Sequence, residues 1–233
     1  MSTMLESAGQ VVSWTAATIG PYCLARALHR RWPRWWTMPI LVAPGMIILL
    51  VLGFQASYRD YIGGAGWLLV ALGPVTVAFA VPIYEHRVMI RRRWMVLLVG
   101  MVAGSVTSVA TAWALAGLLR LDGAMRLSLL PRSISMPFAL EMSGDIGGVP
   151  DLTAVFVVLT GLLGAVVGDG LLAWLPIRTA MARGALLGMG AHGMGAARAH
   201  AMGREEGTIA GLVMVLVGLL NVLVAPLVAH LLR

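Results

Sequence analysis

The chain has 233 residues, 59% of them hydrophobic and 12% charged, with a net charge of +7. Soluble domains are about half apolar and a quarter charged, so this composition excludes an ordinary water-soluble globule and makes lipid the main solvent. All seventeen basic residues are arginine, and they cluster in short stretches between apolar runs, which excludes a nucleic-acid-binding face as the reason for the charge.

The first apolar run, 7–25, contains no Asp, Glu, Arg or Lys. It reads as a span and not as a cleaved signal peptide, because no basic segment precedes it and Gln10, Ser13 and Thr15 lie inside it. Cys23, the one cysteine, also lies there, so there is no disulfide framework and no thiol metal site. His29, Arg30, Arg31 and Arg34 separate this run from the next, 35–58. After Arg59 comes 61–84, and then His86, Arg87, Arg91, Arg92 and Arg93 stand before 94–119. The excess of positive charge puts both arginine clusters in the cytoplasm and the N-terminus outside. Two more runs follow, 152–177 with only Asp169 inside it, and 207–232. A helix of roughly 20 residues crosses the hydrocarbon core. The expected fold is therefore an all-α polytopic membrane protein with about six full spans.

Three elements are interrupted. GGAGWLLVALGPVTVAFAVPIYEHR carries Gly73, Pro74 and Pro82, and proline removes a backbone hydrogen bond and clashes one turn back. Residues 127–152 are apolar but broken by Pro131, Pro137, Gly144, Gly147, Gly148 and Pro150. GMGAHGMGAARAH, 188–200, is flanked by Gly184 and Gly203. Irregular backbone at membrane depth must find partners in protein or in a wet cavity, which points to an internal polar site. Discontinuous helices of this kind build carrier sites, often in inverted repeats. GWLLVALGPVTVA (66–78) and GALLGMGAHGMGA (184–196) share G-x-L-L, so the expected repeat halves are 1–120 and 121–233 of one transmembrane domain, 1–233.

G-x-G-x-x-G occurs through Gly188, Gly190 and Gly193, but it lacks the preceding strand that a nucleotide site requires. His192 and His200 are eight apart with Glu205 and Glu206 beyond, near one helical face only in a helix unbroken by the glycines between them, and no metal or other cofactor is expected. Close helix packing explains the glycines but not His192 and Arg198 among them. Asp169 lies in G-D-G, but no Tyr-Asp dipeptide accompanies it, so an intramembrane aspartyl protease is set aside and no enzyme activity is expected. Asp169 stays a candidate for ion coupling, or else a solvated helix end. In PRSISMP, 131–137, Arg132 offers a planar fork for a carboxylate, Ser133 and Ser135 add hydroxyl donors, and a broken helix leaves free N–H groups that favour an anion. The alternative is that Arg132 snorkels to the interface.

Three blocks together resemble the LrgB/CidB family of holin-like and antiholin-like bacterial membrane proteins. They are YRDYIGGAGWLLVALGPVTVAFAVPIYEHR, SLLPRSISMPFALEMSGDIGGVPDLTAVFVVLTGLLGAVVG and GMGAHGMGAARAHAMGREEGTIAGLVM, in order and over almost the whole chain. The chain departs from the family pattern at Arg132, where Lys is usual, at Ser135 and Met136 in place of two threonines, and at Ala191 and Ala196 in place of Ser and Thr. The resemblance implies the inner membrane, a link to murein hydrolase control and autolysis, and a small LrgA/CidA-type membrane partner. A plastid relative carries glycolate and glycerate, and some bacterial members are associated with pyruvate, which implies a small monocarboxylate substrate. The resulting expectation is a carrier of elevator type, working as a homodimer. Arg132, Ser133, Ser135, Thr76, His192, Gly193, Gly195 and Arg198 would line the site, and Asp169 or His192 would carry a coupled proton or ion. The alternative is an oligomeric holin-like pore or a regulator of murein hydrolases.

Overall fold

The computed structural model describes residues 2–121 and 123–231, and among these there is helix, turn and loop with no strand. The chain forms two compact units, Met1–Val75 and Thr76–Arg233.

In the first unit, α1 (Ser2–Arg31) ends in His29, Arg30 and Arg31, where the helix dipole favours positive charge. α2 (Pro39–Gly53) and α3 (Tyr58–Ala65) meet at a bend of 120°. Ser57 and Asp60 form a reciprocal capping box that fixes the start of α3: Asp60 N donates to Ser57 Oγ (3.2 Å) and Ser57 N to Asp60 Oδ2 (2.9 Å). α3 is held to α1 by the Trp14–Tyr61 edge contact, 5.7 Å between centroids, and by the hydroxyls of Thr18 and Tyr61, 3.2 Å apart.

The third apolar run is divided into α4 (Trp67–Val70), α5 (Leu72–Ala78) and α6 (Ala80–Glu85). Its prolines explain the divisions. A proline ring clashes with the carbonyl four residues back. For Pro74 that residue is Val70, where α4 ends, and for Pro82 it is Ala78, where α5 ends. Each proline then occupies the first turn of the next helix, where an N–H has no intrahelical partner to lose. Gly73 lies inside α5 with open space around it, so the breaks fall at Ala71 and Phe79.

α7 (Arg87–Leu118) takes in Arg91, Arg92 and Arg93, which the sequence reading places in a loop. Arginine is a good helix former, and the only departure from helical geometry is at Arg93 (φ −119°, ψ 18°). Among the described residues, three helices are long and apolar enough to cross a membrane: Arg87–Leu118, Pro150–Trp174 and Arg204–His230. The α2–α3 pair makes a fourth if counted as one bent span. The structure supports a helical membrane protein but not the expected six spans. The second run yields a helix of only 15 residues before its bend, and prolines cut the third.

The rest of the second unit consists of two helical hairpins, each followed by a long helix. α8 (Gly123–Leu129) continues into a tight 3-10 turn, Leu130–Ser133. The backbone is extended at Ile134 and Ser135 before α9 (Met136–Ile146). Pro131 and Pro137 both lie at helix starts, where proline is tolerated. Gly147 (φ +84°) ends α9 in the left-handed conformation that glycine adopts without strain. α10 (Pro150–Trp174) then runs alongside α8. Thr153 Oγ1 donates to Ser128 O (2.9 Å), Val149 N donates to Ser128 Oγ (2.7 Å), and the Ser143 and Thr153 hydroxyls are 2.7 Å apart. A Cβ at Gly148 would come within 3.0 Å of Ser128 N, so glycine lets the hairpin mouth close.

α11 (Ala180–Met202) is the second hairpin. It breaks at His192, not at a glycine, with φ +38° and ψ −117°. Gly195 packs against the carbonyl oxygen of Leu187, eight residues back. In a straight helix those residues would be about 12 Å apart, so the chain has turned back on itself. Gly184 and Gly188 of the first arm pack on Glu206, Ile209 and Ala210 of α12 (Arg204–Leu231). Leu130, Phe138, Met142, Val157, Val213 and Val217 belong to one buried core joining α9, α10 and α12.

Candidate functional site

The two hairpin breaks come together. The backbone of Arg132 and that of Val157 border the His192 ring. A Cβ at Gly161 of α10 would lie 2.6 Å from His192 Cε1, so that glycine provides the space the imidazole fills. His192 is only 6% exposed, and its Nε2 has no hydrogen-bond partner. Its backbone lies where L side chains rarely go, a strain of the kind found at ligand sites and switches.

Ser135 is also 6% exposed with an unpartnered Oγ. It stands at the N-cap of α9, yet its side chain makes no capping bond. Arg132 is half-buried on the 3-10 turn. Its Nη2 donates to Thr111 Oγ1 of α7 at 3.3 Å, and its Nε is buried without a partner. Arg132, Ser135 and His192 each carry a polar atom with unused hydrogen-bonding capacity at the two breaks, and the backbone of Arg132 lies against the His192 ring. Each such orphan costs about 1–3 kcal/mol, which a ligand can recover.

The other predicted residues are placed differently. Arg198 Nε donates to Asp169 Oδ1 at 2.7 Å, and both side chains are about half exposed (48% and 43%). Asp169 lies eight residues beyond Gly161, about 12 Å along α10, so this pair is set back from the His192 junction. Ser133 is half-buried beside Arg132, and Thr76 is half-buried on α5. Gly193 has open space where a Cβ would go, whereas Gly195 is used by the reversal of α11 itself. Among the described residues, no three His, Cys, Asp or Glu side chains gather as a cation site requires.

Thr111, Gly161, Phe138 and Gly218 also take part in the contacts around the two breaks, and none of them is a candidate from sequence. A Cβ at Gly218 of α12 would clash with the Phe138 ring. Gly161 stands in the T-G-x-x-G part of the second block, and that spacing was the available signal.

The LrgB-like family profile matches residues 18–231. The chain belongs to the LrgB-like family. The antiholin-like protein LrgB of Bacillus subtilis is 33% identical over 233 residues, covering 99% of this chain and 98% of its own length. The B. subtilis protein YwbG is 36% identical over 209 residues, 90% of this chain and 93% of its own. The holin-like protein CidB of Staphylococcus aureus is 27% identical over 209 residues, covering 90% and 91%. No solved structure matches the chain. Family membership places the junction in a setting of apolar helices and bacterial membrane proteins.

Proposed function

We propose that this LrgB-like chain is a non-enzymatic, multi-pass protein of the bacterial inner membrane, with its N-terminus outside, acting as a holin- or antiholin-like element of autolysis control. Family membership and the names of its LrgB and CidB relatives support this reading. In it, the chain works as a homodimer beside a small LrgA/CidA-type membrane protein. The test is the rate of detergent-induced lysis, and the release of a cytoplasmic enzyme, in bacteria with and without the chain. A changed rate is expected. An unchanged rate with the protein verified in the membrane sinks the reading.

One observation favours a second reading, an elevator-type carrier of small monocarboxylates. Arg132 Nε, Ser135 Oγ and His192 Nε2 are buried without partners where two helix breaks meet. A carboxylate would accept from Arg132 and Ser135, and His192 would bond the 2-oxygen. The test is radiolabelled pyruvate and glycolate uptake into proteoliposomes. Saturable uptake abolished by Arg132→Ala is expected. Flux that never saturates, with dyes passing too, leaves only the pore reading.

A further inference from the structure

The two hairpins correspond in sequence as well as in shape. Gly123–Trp174 and Ala180–Leu231 each contain a helix, a break, a returning helix and a long helix. At an offset of 57 residues the two segments share particular positions: Arg126, Leu129 and Leu130 align with Arg183, Leu186 and Leu187. VLTGLL (158–163) aligns with VLVGLL (215–220), identical at five of six positions. The same offset carries Ser135 onto His192, the two break residues with buried, unpartnered polar atoms. It also carries Gly161 onto Gly218.

The packing is reciprocal. His192, at the second break, fills the space at Gly161 on the first long helix. Phe138, just past the first break, fills the space at Gly218 on the second. The directions are opposed. Ser128 meets Thr153, and Arg132 and Val157 meet at the His192 ring, so α8 and its 3-10 turn run parallel to α10. Gly184 meets Ile209 and Gly188 meets Ala210, so the first arm of α11 runs parallel to α12. But Gly161, Gly164 and Gly168 of α10 meet His192, Gly190 and Leu187 in descending order, so 123–174 and 180–231 run antiparallel.

We infer that residues 123–174 and 180–231 are inverted copies of one hairpin-plus-helix unit. Their meeting breaks form a single small-carboxylate site reached from opposite membrane faces, Ser135 and His192 holding equivalent places in it. The ligand class rests on the carrier reading above. The inversion does not, because it follows from the order of contacts. Each hairpin mouth lies at one end of α10, so the two mouths face opposite sides of the bilayer. A solute entering beside one hairpin meets the tip of the other.

The test uses the full chain with Cys23→Ser, in sealed proteoliposomes of fixed orientation. Gly144→Cys and Ala201→Cys mark the two mouths; both positions are exposed. Ser133→Cys and Gly190→Cys mark the two tips, Gly190 having open space for a side chain. A membrane-impermeant maleimide should modify the mouth cysteines from opposite sides. Pyruvate should slow modification of both tip cysteines several-fold. Modification of both mouths from one side overturns the inversion. Opposite-sided mouths, with saturable pyruvate uptake but protection at one tip or neither, overturn the shared site. Opposite-sided mouths with no saturable uptake in the same liposomes overturn the ligand class, and with it the carrier reading. Mouth and tip substitutions are made in separate proteins, so misfolding of a tip variant leaves the test of the inversion standing.

Discussion

Substituting Gly161 tests whether the His192 junction is built as described. An added Cβ stands 2.6 Å from His192 Cε1 and 3.3 Å from each ring nitrogen. Carbon atoms rest comfortably at about 3.5–4.0 Å, so the ring or α10 must shift by about 1 Å. Neither moves freely: the ring is buried, and its backbone is pinned at the reversal of α11. Overpacking of this kind costs about 1–3 kcal/mol. In a chain of this size each kcal/mol lowers the midpoint by about 2–4 °C, so Gly161→Ala should melt roughly 2–12 °C below the parent. Tryptophan fluorescence of the detergent-solubilised protein reads this directly. His192→Gly removes the ring and relieves the positive φ, so the double substitution Gly161→Ala with His192→Gly should regain most of the loss. Equal melting of Gly161→Ala and the parent, or no regain in the double variant, refutes the packing argument.

Gly218→Ala should destabilise by a similar amount through the Phe138 ring, and Phe138→Ala should relieve it in the same melting assay. Thr153→Val keeps the shape but strands Ser128 O, so a loss of about 1–3 kcal/mol is expected in denaturant titration. Asp169→Asn and Arg198→Gln should each change stability by less than about 1 kcal/mol, because the pair is half exposed. A large loss from either would mean the pair is buried in the assembled protein.

Both helix breaks of the candidate site are legible in the sequence because their signals are local. Prolines at 74, 82, 131 and 137 announce interruptions, and PRSISMP and the histidine within 188–200 mark the two breaks. What was hidden depends on direction. Nothing local in GMGAHGMGAARAH says that a histidine, not a glycine, takes the positive φ, or that the chain then reverses. Arg198 and Asp169 looked like separate functional charges because their pairing requires α10 and the returning arm of α11 to lie side by side. The span count failed for a related reason. Apolar composition counts residues that prefer lipid, but it does not register that Pro74 and Pro82 each end the preceding helix. The G-x-L-L echo between 66–78 and 184–196 is weaker than the one between 158–163 and 215–220, which lies within two long apolar helices.

The Asp169–Arg198 pair also ties this protein to bilayer thickness. The charge-free part of α10, residues 152–168, is about 25 Å long as helix, shorter than a hydrocarbon core of about 30 Å. In thin membranes the pair reaches the headgroups and competes with water. In thicker ones it is drawn below them, where its attraction strengthens and separating it becomes expensive. Lipid chain length therefore acts on the hold between the second hairpin and α10, and reconstitution in short-chain and long-chain lipids should give proteins of different stiffness from one sequence.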